Sequence, residues 1–118
     1  MPSQLTSNFN KGFSMTFENG LTISVQYGCA NYCANRNLDG FITDHMKHTR
    51  TESANAEIAI WDANNFDFDF GSDSVLGWVS PNDVANWIYL TAKAEDIHDL
   101  LTLAVEFGQM EHPINQKQ

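Results

Sequence analysis

The sequence predicts an α+β fold in which a small antiparallel sheet of two hairpins carries two C-terminal helices packed on one face. Three observations predict it. Apolar residues alternate over 13–25 and 57–70, an Asn-Gly pair interrupts the first of these stretches, and apolar residues recur at helical spacing over 84–107. Because the strands precede the helices rather than alternating with them, the order is typical of an α+β domain.

One domain, 1–118, accounts for the whole chain. With 118 residues and 42% hydrophobic residues, the chain suits a single modest core. The polar residues at its two ends, 1–11 and 111–118, are predicted to be loose.

The first hairpin is predicted by two alternating runs that flank Asn19-Gly20. Phe13, Met15 and Phe17 share one side of the first run. Asn-Gly between such runs is typical of a two-residue primed turn, so we expect a tight hairpin over 13–25.

Residues 28–54 are rich in Asn, Thr, Asp, Gly and Ala and show no sustained period. They are predicted to form a long excursion loop, with one helical turn at 42–47. Loops of this length are often functional.

A second hairpin is predicted from 57–61 and 66–70, where Phe66, Phe68 and Phe70 alternate with aspartates. The sequence "SVLGWVS" adds a short strand before the helices.

Ser80-Pro81-Asn82-Asp83 is a helix start, with Ser80 as N-cap and proline at the first helical position. A stripe that includes Trp87 follows, and a second stripe occupies 97–107. We expect two helices joined by a tight break at 93–96, the second stopped by Gly108.

The net charge of −9 is concentrated in the second half of the chain. Residues 1–56 hold four acids and four bases, whereas residues 57–111 hold eleven acids and one base, Lys93. This field repels nucleic acid and anionic membranes, so we expect no direct binding to either and a protein partner with a basic surface. The oligomeric state is left open by the sequence.

Both cysteines and two histidines fall within the excursion loop. Cys29, Cys33, His45 and His48 follow the pattern C-x3-C-x11-H-x2-H, which approaches the spacing of a structural zinc site but has a histidine gap one residue short. Reduced thiols in a polar loop, with no cofactor, are the favoured interpretation. A cysteine nucleophile with a histidine base is a further alternative.

Surface candidates for partner binding are three aspartates and two tyrosines. Asp67 and Asp69 share one side of their run, and Asp73 follows shortly after. Tyr32 lies in the polar loop and Tyr89 falls off the apolar helix stripe, so we expect both to be exposed. Aromatic residues of this kind dominate interaction surfaces.

The stretches "MTFENGLTISVQYGCANYC", "AEIAIW" and "GWVSPNDVANWI" together resemble those of small uncharacterised proteins of tailed bacteriophages. That family brings no activity and no functional residues to transfer. The resemblance implies an accessory protein made in the bacterial cytoplasm during infection.

The sequence shows no signal-peptide pattern and no apolar run long enough to span a bilayer, which also favours the cytoplasm. We therefore expect a non-enzymatic protein that acts through protein–protein interaction. Two alternatives stay open: an inhibitor that mimics nucleic acid with its carboxylates, and a small zinc-supported or thiol-dependent enzyme.

Overall fold

In the described part of the chain, five antiparallel strands form one sheet whose spatial order follows the sequence. The structure, a computed structural model, describes residues 3–8, 11–36 and 52–111. The strands are β1 (Gln4–Ser7), β2 (Gly12–Thr16), β3 (Thr22–Gln26), β4 (Ala56–Trp61) and β5 (Val75–Val79). Two helices follow, α1 (Pro81–Lys93) and α2 (Ile97–Glu106), which confirms the predicted α+β fold.

One face of the sheet is apolar and is covered by α1. Ile23 of β3 and Ile58 and Ile60 of β4 are fully buried beneath Trp87 and the leucines of the helices. Burying a side chain of this size contributes about 1.5–3 kcal/mol, so this layer is the main source of stability. The opposite face of β1, β2 and β3 carries Gln, Ser and Thr side chains, as the alternation along each strand requires.

The β2–β3 hairpin is confirmed, but its turn differs from the predicted one. Phe17 and Leu21 close a three-residue loop through the bond from the Phe17 N–H to the Leu21 carbonyl at 2.9 Å. Within this loop only Gly20 has positive φ, at 88°. A primed turn would need positive φ at Asn19 as well.

Asn19 has another task, because its side chain binds the end of α1. Its Nδ2 donates to the carbonyls of Thr91 at 2.8 Å and Ala94 at 2.6 Å, and its Oδ1 accepts the Leu21 N–H at 2.9 Å. The last carbonyls of a helix have no partner within the helix, and a side chain from elsewhere can satisfy them. The hairpin tip is thereby fixed to the C-terminus of α1.

The second hairpin was predicted with the wrong partner for β4. β4 pairs with β5, whereas the segment 66–70 makes only the single bridge between Trp61 and Asp67. Phe68 and Phe70 instead pack their rings 5.7 Å and 5.1 Å from Trp87, while Phe66 stays exposed. Burial against an aromatic ring on α1 outcompetes continued strand pairing.

The N-terminus is more ordered than predicted, because Gln4–Ser7 pair with β2 as an edge strand. The Asn8 N–H donates to the Gly12 carbonyl at 2.9 Å and continues this pairing beyond Ser7. All four residues of β1 are exposed. A strand with no buried face lacks the alternation that identifies one in a sequence.

The helix boundaries agree with the sequence analysis. Ser80 Oγ accepts the Asp83 N–H at 3.2 Å, and Asp96 caps α2 in the same way through Asp99. Gly108, with φ 73°, follows the end of α2. Neither helix in the described part of the chain is long and apolar enough to cross a membrane.

Residues 28–36 and 52–54 of the excursion form turns, bends and irregular chain. The helical turn predicted at 42–47 and the tail beyond Glu111 lie outside the described residues.

Replacing Asn19 by Ala should lower the free energy of unfolding by about 1–3 kcal/mol, because carbonyls at the end of α1 lose their donor. Denaturant unfolding followed by circular dichroism measures this change. Asn64→Ala is the matched control, since Asn64 is exposed and contributes its backbone N–H, not its side chain, to the Asp62 turn. Equal stability of the two variants would contradict the role of Asn19.

Candidate functional site

Asparagine side chains hold the first part of the excursion against the sheet. Asn35, 4% exposed, donates from Nδ2 to the carbonyls of Tyr27 at 2.8 Å and Glu52 at 3.0 Å. Asn55 Oδ1 accepts the Ala34 N–H at 2.7 Å. These bonds join the residues that leave β3 to those that enter β4, so the segment 28–36 has a fixed position.

Glu57 positions Tyr32 within this segment. It is the only charged residue in the five strands, and alternation along β4 places it on the face opposite the helices. Its Oε1 accepts the Tyr32 N–H at 3.0 Å and its Oε2 accepts from Asn31 Nδ2 at 3.4 Å. The carboxylate therefore has a structural role.

A bulge in β5 completes the site. Ala56 pairs with Val79 and Ile58 with Leu76, so Glu57 alone faces two residues, Gly77 and Trp78. The Trp78 N–H donates to the Tyr32 carbonyl at 2.8 Å. A Cβ on Gly77 would lie 2.8 Å from Tyr32 Cβ, so only glycine permits this close approach.

Tyr32, Arg36 and Trp78 together form an exposed group of side chains, here called the aromatic cluster. The rings of Tyr32 and Trp78 are 5.7 Å apart with planes tilted by 38°. The Arg36 guanidinium carbon lies 4.4 Å from the centre of the Tyr32 ring, and Arg36 Nη1 donates to the Ala30 carbonyl at 3.1 Å. Tyr32 is 41% exposed and Trp78 is 58% exposed.

The backbone of Trp78 is strained. Its φ of 51° lies in the left-handed region, which costs an L-residue roughly 1–2 kcal/mol. Burial of the ring repays little of this cost, because more than half of the side chain faces solvent. Strained residues of this kind cluster at functional sites, and the aromatic cluster is accordingly our candidate functional site.

The predicted acidic candidates lie at the other end of β5. Asp67, Asp69 and Asp73 are all exposed in the connection between β4 and β5. Asp69 Oδ1 accepts the Gly71 N–H and Asp73 Oδ1 accepts the Ser74 N–H, each at 2.7 Å. These two carboxylates shape the loop while remaining available to a partner.

Tyr89 belongs to a separate surface. It is exposed on α1, with its ring 6.4 Å from Phe107 and the Lys93 ammonium 5.8 Å from its centre. Tyr32 lies across the sheet, on the side of Glu57. The structure therefore does not bring the two predicted tyrosines together.

Only two of the four residues of the predicted zinc site are among the described residues. Cys29 and Cys33 are both buried, and Cys33 Sγ donates to the Gly28 carbonyl at 3.5 Å. His45 and His48 lie outside the described residues. Over 3–8, 11–36 and 52–111 no group of three or more His, Cys, Asp or Glu could hold a metal ion, and the four-residue zinc site stays a prediction.

A cavity of about 330 Å³ lies where α1 begins, at the end of the sheet. Its apolar wall includes Val25, Val79 and Val84. Two polar residues at the cavity already have partners, because Ser53 Oγ donates to the Asn55 carbonyl at 2.7 Å and Asn55 Oδ1 binds Ala34.

Comparison of the chain with protein-family models, curated proteins and solved structures found no match.

Sequence reasoning singled out Tyr32 but not Arg36 or Trp78 as candidates. The available signal was the Gly77-Trp78 pair in a short strand, because glycine within a strand often marks a bulge.

Replacing Trp78 by Gly should give a more stable protein than replacing it by Ala, by about 1 kcal/mol, because only glycine adopts positive φ without strain. Denaturant unfolding of the two variants measures the difference. In an ordinary strand the order is reversed, so an alanine variant more stable than the glycine variant would contradict the left-handed conformation. Leu76→Ala and Leu76→Gly provide the matched pair in regular β5 backbone.

Proposed function

We propose that this chain is a non-enzymatic protein that binds another protein, with the aromatic cluster at the centre of the contact. The observation that carries the proposal is the exposure of the Trp78 ring beside Tyr32 and Arg36, on a backbone that is strained. Trp, Tyr and Arg are the residues most enriched among those that dominate binding energy at protein interfaces.

The cluster is organised before any partner arrives. The backbone of Tyr32 is bound on both sides, through its N–H by Glu57 and through its carbonyl by Trp78. Arg36 is bound by a carbonyl and stacks on the Tyr32 ring. Side chains that are already ordered lose less entropy on binding, which favours affinity.

The charge distribution indicates a partner with a basic surface. Asp67, Asp69 and Asp73 lie at one end of β5 and the aromatic cluster lies at the other. A protein with a basic surface could contact both, because attraction to the carboxylates speeds encounter while the aromatic rings provide the contact that lasts. The resemblance to phage proteins supports a role in the bacterial host cytoplasm.

Mimicry of nucleic acid is the second candidate, supported by the exposure of three aspartates in one loop. Against it, six of the eleven acidic residues of 57–111 accept hydrogen bonds that shape the local chain. They are Glu57, Asp62, Asp69, Asp73, Asp96 and Asp99. Helix caps and turn formation account for these carboxylates without mimicry.

The test is affinity capture from lysates of uninfected and phage-infected bacteria, read by quantitative mass spectrometry. We expect proteins retained by the wild type to be lost with Trp78→Gly, which removes the ring and relieves the strain, and with Tyr32→Ala. Tyr89→Ala is the matched control, because Tyr89 is also an exposed tyrosine near a cation. Retention of the same proteins by Trp78→Gly would overturn the proposal.

Replacing Asp67, Asp69 and Asp73 together by Asn tests the electrostatic part. Capture should weaken most at low salt, because screening already suppresses long-range attraction at high salt. Asp83→Asn with Glu106→Gln and Glu111→Gln removes the same formal charge elsewhere. Complete loss of capture in the first triple variant but full capture by Trp78→Gly would favour the mimic instead.

A further inference from the structure

The apolar face of the sheet is buried at its centre but exposed at the edge strand β1. Strand register aligns Leu5, Met15, Ile23 and Ile60 in one row. Ile60 and Ile23 are fully buried, Met15 is half-buried and Leu5 is 74% exposed. A row that is buried at its centre therefore emerges into solvent at the edge of the sheet.

Within the described part of the chain no strand pairs with the outer edge of β1, so this edge presents unused backbone groups. The Asn8 N–H bonds the Gly12 carbonyl, so alternation in an antiparallel pair directs Asn8, Thr6 and Gln4 towards β2. Leu5 and Ser7 consequently direct their N–H and carbonyl groups away from the sheet. Such an edge is a template for another strand.

The two edges of the sheet differ. At β5 the bulge and the Tyr32 carbonyl, which accepts the Trp78 N–H, obstruct the addition of a strand. β1 has continuous register with β2 and contains no proline and no charged residue. It thus lacks proline and charge, two of the devices that protect an edge, and short length is the device that it retains.

The absence of charge along this edge favours a second copy of the chain as the occupant. The chain carries −9, yet β1, β2 and β3 contain no charged residue and the excess of acids belongs to 57–111. Two copies can therefore meet along β1 without placing strand carboxylates opposite one another. An antiparallel edge is also self-complementary, since a two-fold axis pairs it with itself.

We propose that β1 pairs with β1 of a second copy, forming a symmetric dimer with a continuous ten-stranded sheet. The pairing covers Leu5 and uses the outward backbone groups of Leu5 and Ser7. Because β1 has only four residues, the dimer is in rapid exchange with the monomer and forms as protein concentration rises. Added salt strengthens it by screening the repulsion between two acidic chains.

Sedimentation equilibrium over a concentration series tests the proposal with the full chain. The mass of the wild type should rise from 13.3 kDa towards twice that value. Leu5→Lys, which places two cations near the axis, and Leu5→Pro, which removes the outward N–H, should each raise the dissociation constant by about tenfold or more. Phe107→Lys is the matched control, because it removes an exposed apolar side chain from the end of α2 and should leave the dimer intact.

A wild type that stays at the monomer mass at every concentration would overturn the proposal. If Leu5→Lys and Leu5→Pro dimerised as strongly as the wild type, the proposal would also be overturned, because another surface would then be responsible. Circular dichroism of both variants confirms that β1 has not been lost from the sheet. The readout is independent of partner capture, so the dimer and the proposed function can fail separately.

Discussion

The burial of the apolar sheet face under α1 is the constraint on which the rest of the molecule depends. Trp87 lies at its centre and is in contact with two other parts of the chain. The isoleucines of β3 and β4 belong to the same core cluster, and Phe68 and Phe70 pack edge-on against the indole ring. The connection between β4 and β5 is irregular because its aromatic side chains serve this core rather than the sheet.

Side-chain amides supply the second level of organisation. Asn19 joins the hairpin tip to the end of α1, and Asn35 joins the two ends of the excursion. In each case one amide satisfies backbone groups that come from distant parts of the chain. These bonds fix elements that the apolar core alone would leave free to shift. The bonds of Asn35 also place Tyr32 where Glu57 and Trp78 can hold it.

Local signals in the sequence predict much of the fold. The hairpin over 13–25, both helices, the cap at Ser80 and the burial of Trp87 follow from patterns within a few residues. The partner of β4 does not, because 66–70 alternates as regularly as a strand and only the competing packing on Trp87 decides its fate. β1 escapes prediction since it has no buried face.

The candidate site, like the fold, could be predicted from the sequence only in part. Tyr32 is recognisable as an aromatic residue in a polar loop, whereas the importance of Trp78 depends on a bulge against Glu57. That bulge results from pairing between strands that are separated by the whole β4–β5 connection. Backbone strain at one residue has no local sequence signature when the residue is neither glycine nor asparagine.

The two hydrogen bonds of Asn35, here called the Asn35 latch, hold the chain that leaves β3 against the chain that enters β4. The latch closes the excursion at its base, between Tyr27 and Glu52, and β3 and β4 are already neighbours in the sheet. The entropy of closing a loop grows only with the logarithm of its length. An insertion between Arg36 and Glu52 should therefore add little to the cost of folding, because the latch already holds the two ends of the excursion together.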